Sequence, residues 1–153
     1  MSAERRPRVL FLCVGNSCRS QMAEALTRAA HGDRYAVDSG GTQPKQVDPL
    51  ALAALREAGV DASGLRSKGV SDLDRRPFDL VVSLCAEARE VDVPTARRLH
   101  VPFDDPPRLV AEGREGPEAY GRVRDELRSM IASLPDWLQD HHPDLGAEGA
   151  LDR

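Results

Sequence analysis

Apolar and polar positions along this chain fall into short β-prone runs separated by stretches with helical spacing. The first run, Val9-Leu10-Phe11-Leu12 following Arg8, is unbroken and predicts a buried strand that ends at a Gly-containing loop. From Ser20 to about Ala30 the residues are helix formers, with Met22, Ala25, Leu26 and Ala29 along one face, and His31-Gly32-Asp33 stops them. Tyr35 to Ser39 reads as a second strand before Gly40-Gly41, and Pro49 to Ala58 as a helix capped by Asp48 and ended by Gly59. Asp79 to Leu84 forms a third strand pattern and Arg98 to Val101 a short fourth, and Glu118 to Leu138 carries Leu127, Ile131 and Leu134 as one long helix. This β-α-β-α order predicts an α/β fold: a single domain with a four-stranded parallel sheet and helices on both faces. Residues 8–138 make that domain, 1–7 an N-terminal extension, and 139–153 a flexible tail rich in polar residues.

Composition narrows the class. With 153 residues and 41% hydrophobic content the chain holds one core. The net charge of -4 arises from 21 basic and 25 acidic residues spread along the chain, so neither a nucleic-acid nor a membrane surface is expected. Nothing approaches the roughly 18 apolar residues of a membrane span, and Met1 to Arg6 lacks a signal-peptide core, so a cytoplasmic protein is expected, by default a monomer. The three cysteines, Cys13, Cys18 and Cys85, are odd in number and have no zinc-site spacing with His31, His100, His141 and His142. They read as catalytic or redox-active thiols rather than as a disulfide framework.

The chemistry concentrates at Cys13-Val14-Gly15-Asn16-Ser17-Cys18-Arg19-Ser20. A cysteine at a strand end, five residues and then an arginine at the head of a helix wrap backbone N–H groups around one point. The free N–H groups of the helix's first turn and its dipole draw an anion there, and Arg19 can hold two of its oxygens. Gly15 lets the backbone curl inward. The same field favours the thiolate of Cys13, a nucleophile near neutral pH. Ser20 is placed to donate a hydrogen bond to the sulfur, and Asn16 to brace the loop through its amide. A bare C-x5-R spacing arises by chance, and an isolated cysteine is usually a core residue; the strand, Gly-Asn loop and helix around it carry the functional reading.

The stretch CVGNSCRSQMAEAL resembles the phosphate-loop region of the low-molecular-weight protein tyrosine phosphatase superfamily, specifically its arsenate reductase branch. That branch follows the loop with Gln-Met-Ala-Glu, as Gln21 to Glu24 do here, where phosphatases place Pro. The similarity continues through Ser39-Gly40, Leu84-Cys85 and Phe103-Asp104-Asp105-Pro106 to Arg122-Val123-Arg124-Asp125-Glu126.

The resemblance implies reduction of arsenate to arsenite, with phosphate or sulfate as mimics, Asp105 as general acid and no bound cofactor. On the residues alone, two Asp before Pro are equally ordinary turn chemistry. Two-electron reduction of As(V) calls for a second thiol, and Cys85, at the end of the third strand, is the candidate; a helical turn from about Ala86 would help ionise it. A strand-end core cysteine is its alternative. Cys18 is expected to pack beneath the loop. Thioredoxin-coupled relatives carry a third cysteine about where Asp92 stands. The external reductant is therefore either a thioredoxin-like protein acting directly on a Cys13–Cys85 disulfide or a small thiol.

The alternatives are a phosphatase hydrolysing phosphate monoesters, which has no use for Cys85, and a non-catalytic oxyanion-binding module. Pro107 follows Pro106 where tyrosine phosphatases usually place an aromatic. Some relatives hold a potassium ion beneath the loop with positions matching Asn16, Glu24 and Ser39, and their further Asp aligns near Lys68. A lysine ammonium there would act as a built-in cation, so no metal is expected; a surface lysine is the alternative.

Overall fold

The structure, a computed structural model, describes residues 6–139. Four parallel strands, β1 (Arg8–Cys13), β2 (Ala36–Gly41), β3 (Leu80–Ser83) and β4 (Arg98–His100), form one sheet in the order β2-β1-β3-β4. β1 is central, paired with β2 from Arg8↔Ala36 to Cys13↔Gly41 and with β3 from Val9↔Leu80 to Leu12↔Ser83. The chain leaves β1 for β2 on one side and reaches β3 on the other. The crevice beyond the carboxyl ends of β1 and β3 is thus the topological switch point, where such sheets bind ligands.

Alternation along β1 explains its unbroken apolar run, because both faces are buried. Val9 and Phe11 join the core under the helices, and Leu10, Leu12 and Cys13 join a second cluster with Leu73, Phe78, Val81 and Cys85. Each fully buried Leu or Phe contributes about 1.5–3 kcal/mol. Helices α1 (Arg19–His31), α2 (Pro49–Glu57) and α4 (Glu118–Ile131) supply the first cluster. The opposite face is covered by loop segments with single 3-10 turns at Val70–Asp72 and Ala86–Ala88. A short helix α3 spans Pro106–Ala111, where the sequence suggested only a turn.

The expected long C-terminal helix is in fact two. α4 ends at Ile131 and α5 begins at Leu134, running to Gln139. Pro135 causes the break: a proline in helix interior clashes with the carbonyl four residues back, that of Ile131, and strips one N–H from the ladder. The Ile131 carbonyl is met instead by the His31 ring at 3.3 Å. Two strands are also shorter than expected, β3 by one residue at each end and β4 by one at its end. No helix among the described residues is long and apolar enough to cross a membrane. The expected tail at 139–153, apart from Gln139 at the end of α5, and residues 1–5 of the extension at 1–7 lie outside the described residues.

Candidate active site

β1 delivers Cys13, 3% exposed, to the floor of a cavity of about 440 Å³. Cys13, Cys18 and Arg19 line the floor with Val14, Gly15 and Ser17 of the loop; Lys45, Glu87, Asp105, Pro107 and Arg108 form the walls and rim. The loop reverses direction at Asn16, which has φ 48°, in the left-handed region that Asn tolerates better than most residues. The sharp turn therefore falls at Asn16 and not, as expected, at Gly15. The glycine the loop demands is Gly41: a Cβ there would lie 2.5 Å from the Val14 carbonyl oxygen. β2 runs two residues further than its sequence pattern suggested and ends with Gly41 against the loop backbone at Val14 and Asn16.

A buried polar network fixes the loop. Asn16 Nδ2 donates to Ser20 Oγ at 2.8 Å and to Ser39 Oγ at 2.9 Å, and Ser39 donates in turn to Glu24 Oε1 at 2.5 Å. Asn16 Oδ1 accepts from Gln21 Nε2 and from the Lys68 N–H, which sets the orientation of the amide. Because Ser20 Oγ accepts from Asn16, its own proton is free for Cys13 Sγ, 2.9 Å away. Asn16, Ser20, Gln21 and Ser39 are all fully buried.

Lys68 is not a surface lysine. It is 9% exposed, with Nζ 3.4 Å from Glu24 Oε1, 3.5 Å from Asp38 Oδ1 and 3.1 Å from the Arg66 carbonyl. Arg28 also pairs with Glu24. The ammonium thus sits at the Glu24 end of the Asn16–Ser39–Glu24 network beneath the loop. Among the described residues no group of three or more His, Cys, Asp or Glu is placed to hold a metal ion.

The two adjacent aspartates have different surroundings. Asp104 pairs with Arg122 at 3.1 Å, away from the cavity. Asp105 occupies the N-cap position of α3 yet makes no cap hydrogen bond. Pro106 and Pro107, the first two helical residues, have no N–H to offer, so the carboxylate is left for Arg19, 3.6 Å away. Arg19 also donates to the Phe103 carbonyl at 3.0 Å. Pro107, which the sequence marked only by the aromatic it replaces, thus helps free Asp105.

Cys85 lies two residues beyond the end of β3, the neighbouring strand, and shares the buried cluster of Cys13. Leu84 donates its N–H to the Leu12 carbonyl, so the two cysteines stand side by side past the end of the β1/β3 ladder. The helical turn expected after Cys85 is there, at Ala86–Ala88, but it does not ionise the thiol. Burial pushes Cys85 above its usual value, outweighing the Ala88 N–H and Arg19, while Cys13 and Glu87 add to the rise. The exposed Glu87 carboxylate is held below its usual range by its own N–H and by the Cys85 thiol. Cys18 packs in the cluster under α1, as expected, and burial followed by Asp48, Asp105 and Cys13 pushes its thiol well up against the opposing pull of Arg19.

Known proteins match this architecture. Residues 8–142 fit the family model described as low molecular weight phosphotyrosine protein phosphatase. An arsenate reductase of Brevibacillus brevis is 40% identical over 136 residues, 87% of this chain and 97% of its own. Among solved structures, one titled an arsenate reductase in the phosphate binding state superposes with a TM-score of 0.72 at 29% identity, covering 86% of this chain and 98% of its own. A thioredoxin-dependent arsenate reductase of Corynebacterium glutamicum gives 0.69 at 27% identity, over 90% of this chain and 64% of that one. With a family match across nearly all the described residues, this chain belongs to the low molecular weight phosphotyrosine protein phosphatase family.

Proposed function

We propose that the chain reduces arsenate to arsenite, with Cys13 as nucleophile and Cys85 as the second thiol. The observation that carries this reading is the presence of two buried cysteines in one cluster, Cys13 at the end of β1 in the oxyanion loop and Cys85 two residues past the adjacent parallel strand β3. The names of the relatives point the same way. A phosphatase needs only the first cysteine.

The Cys13 thiolate attacks arsenic, a sulfur–arsenic bond forms, and an oxygen leaves as water with a proton from Asp105. Arg19 and the loop amides of Val14 to Ser20 hold the remaining oxygens. The Cys85 sulfur, as thiolate, then attacks Cys13 Sγ. The sulfur–sulfur bond forms, the sulfur–arsenic bond breaks, and its electron pair stays on arsenic, taking As(V) to As(III). Two thiols are oxidised for the two electrons. An external dithiol or thiol reductant restores them, a thioredoxin-like protein by the name of the Corynebacterium relative. No metal takes part: the Lys68 ammonium supplies the cation beneath the loop.

The test is arsenate-dependent thiol oxidation coupled to a thioredoxin system, beside hydrolysis of an aryl phosphate on the same preparation. Cys85→Ser is expected to abolish the first and leave Cys13 chemistry on the second. Full arsenate turnover by Cys85→Ser with every reductant would remove Cys85 from the mechanism.

A further inference from the structure

Each carbonyl of the oxyanion loop is held by a donor outside it. Those of Val14 and Gly15 accept from the N–H groups of Gln43 and Lys45 at 2.8 Å, and that of Ser17 from Asp48 at 2.9 Å. The Asn16 carbonyl accepts from Gln21 Nε2 at 2.9 Å and that of Cys18 from Met22 at 2.8 Å. No peptide among the described residues is cis, and a trans peptide sets its C=O and N–H in opposite directions. The N–H groups of Gly15, Asn16, Ser17, Cys18 and Arg19 therefore turn away from these donors, toward the inside of the loop. Those of Gly15 to Cys18 donate to no protein acceptor among the described residues.

Three of the six outside donors come from one irregular stretch, 43–48; the sixth, Ser67 Oγ, also reaches the Gly15 carbonyl, at 3.3 Å. That stretch is itself tethered. Tyr120 on α4 donates its hydroxyl to Asp48 Oδ2 at 2.6 Å, while Asp48 Oδ1 accepts from the Leu50 N–H and caps α2. Burial, and then the Asp48 carboxylate, hold the Tyr120 phenol far above its usual range, so it stays a donor.

We propose that residues 43–48 are a positioning strap: by holding the carbonyls of Val14, Gly15 and Ser17 outward, they keep the amide ring open for a tetrahedral oxyanion before it arrives. A loop carbonyl free to rotate inward would set its negative end against the anion, and an amide ring that must form at each encounter loses its preorganisation. The strap rests on the oxyanion-binding part of the proposed function and not on the redox steps that follow.

Amide exchange on the full chain, with and without inorganic phosphate, reads the strap directly. The N–H groups of Gln43, Lys45 and Asp48 are expected to exchange at least about tenfold slower than in an unstructured peptide already without phosphate. Protection that arises only once phosphate is added overturns the proposal. A second arm compares Lys45→Pro with Lys45→Ala: both lose the ammonium, and only the first loses the N–H. Lys45→Pro is expected to bind phosphate about tenfold more weakly than Lys45→Ala, the worth of roughly one hydrogen bond, and equal affinities overturn the strap. If Lys45→Pro does not fold, the exchange pattern decides alone. A protein with a protected strap and bound phosphate but no arsenate turnover keeps the strap and loses the reductase reading.

Discussion

Cys13 Sγ and Ser20 Oγ lie 2.9 Å apart, and the hydroxyl that joins them is already an acceptor toward Asn16. The remaining Ser20 proton therefore points at sulfur, where a thiolate accepts it better than a thiol does. Ser20→Ala is expected to slow alkylation of Cys13 at pH 7 and arsenate-driven adduct formation by about tenfold each, the size of one charge-assisted hydrogen bond. Labelling rates equal to those of the parent would deny the hydroxyl any part in holding the thiolate.

Asp104 and Asp105 offer a contrast between neighbours. Asp105→Asn is expected to lower adduct formation by about 10²-fold or more, within the usual range for a lost general acid. Asp104→Asn breaks an exposed pair with Arg122, an interaction of about 0.2–1 kcal/mol, and is expected to change the rate little. Stopped-flow measurement of the first turnover separates the two; similar losses in both would mean that Asp105 has no special role.

Lys68 compensates two carboxylates, one of them the buried Glu24. Lys68→Met is expected to destabilise the fold by about 1.5–3 kcal/mol, the worth of a charge-assisted hydrogen bond, because the buried Glu24 loses one of its two cations and keeps Arg28 and Ser39. The urea midpoint reports this. In the parent, exchanging sodium for potassium at constant ionic strength is expected to leave arsenate turnover unchanged, and a marked potassium requirement would assign the cation role to a bound ion.

Gly41→Ala places a methyl carbon where the structure leaves 2.5 Å to the Val14 carbonyl oxygen. The nearest atoms are loop backbone, the Val14 oxygen and the Asn16 nitrogen at 2.8 Å, so the loop must shift. Phosphate affinity is expected to fall more than tenfold, on the order of losing one or two loop hydrogen bonds. Calorimetric titration of the variant with phosphate measures it.

Cys18 and Cys85 both stay protonated by burial beyond their ordinary range. A thiol whose value is raised on folding adds stability that is fully present below the unfolded value, about 8.5, and is lost as pH climbs through the folded one. Urea midpoints are expected to fall from pH 8 to pH 10, and less steeply in Cys18→Ala. The step that uses Cys85 is expected to accelerate over the same interval, read as the rate of Cys13–Cys85 disulfide formation.

The apolar run of β1, the capped helix at Asp48 and the placement of Cys13, Arg19 and Ser20 around one strand-to-helix loop are all legible in the sequence, because each rests on local pattern. What escaped it depends on contacts distant along the chain. Nothing near Asn16 announces that β2 will press Gly41 against it, and nothing in Gln43 to Asp48 shows where their N–H groups will point. The Lys68 ammonium was one of two readings until the fold put it beside Glu24. The break in the C-terminal helix was written in Pro135 and was overridden by the strong apolar spacing of Leu127, Ile131 and Leu134.

Tyr120 ties the last long helix to a loop that begins at Cys13. Nearly everything that shapes that loop is made after it: Ser39, the 43–48 stretch, Lys68, Phe103 and Asp105 all follow in the chain. A chain cut after its first sixty residues therefore carries Ser39 and the 43–48 stretch but lacks Lys68, Phe103 and Asp105, and with them the ammonium beside Glu24 and the carboxylate that faces Arg19. The hydroxyl that tethers Asp48 is made later still, at Tyr120, so the last support of the loop arrives only after more than three quarters of the polypeptide.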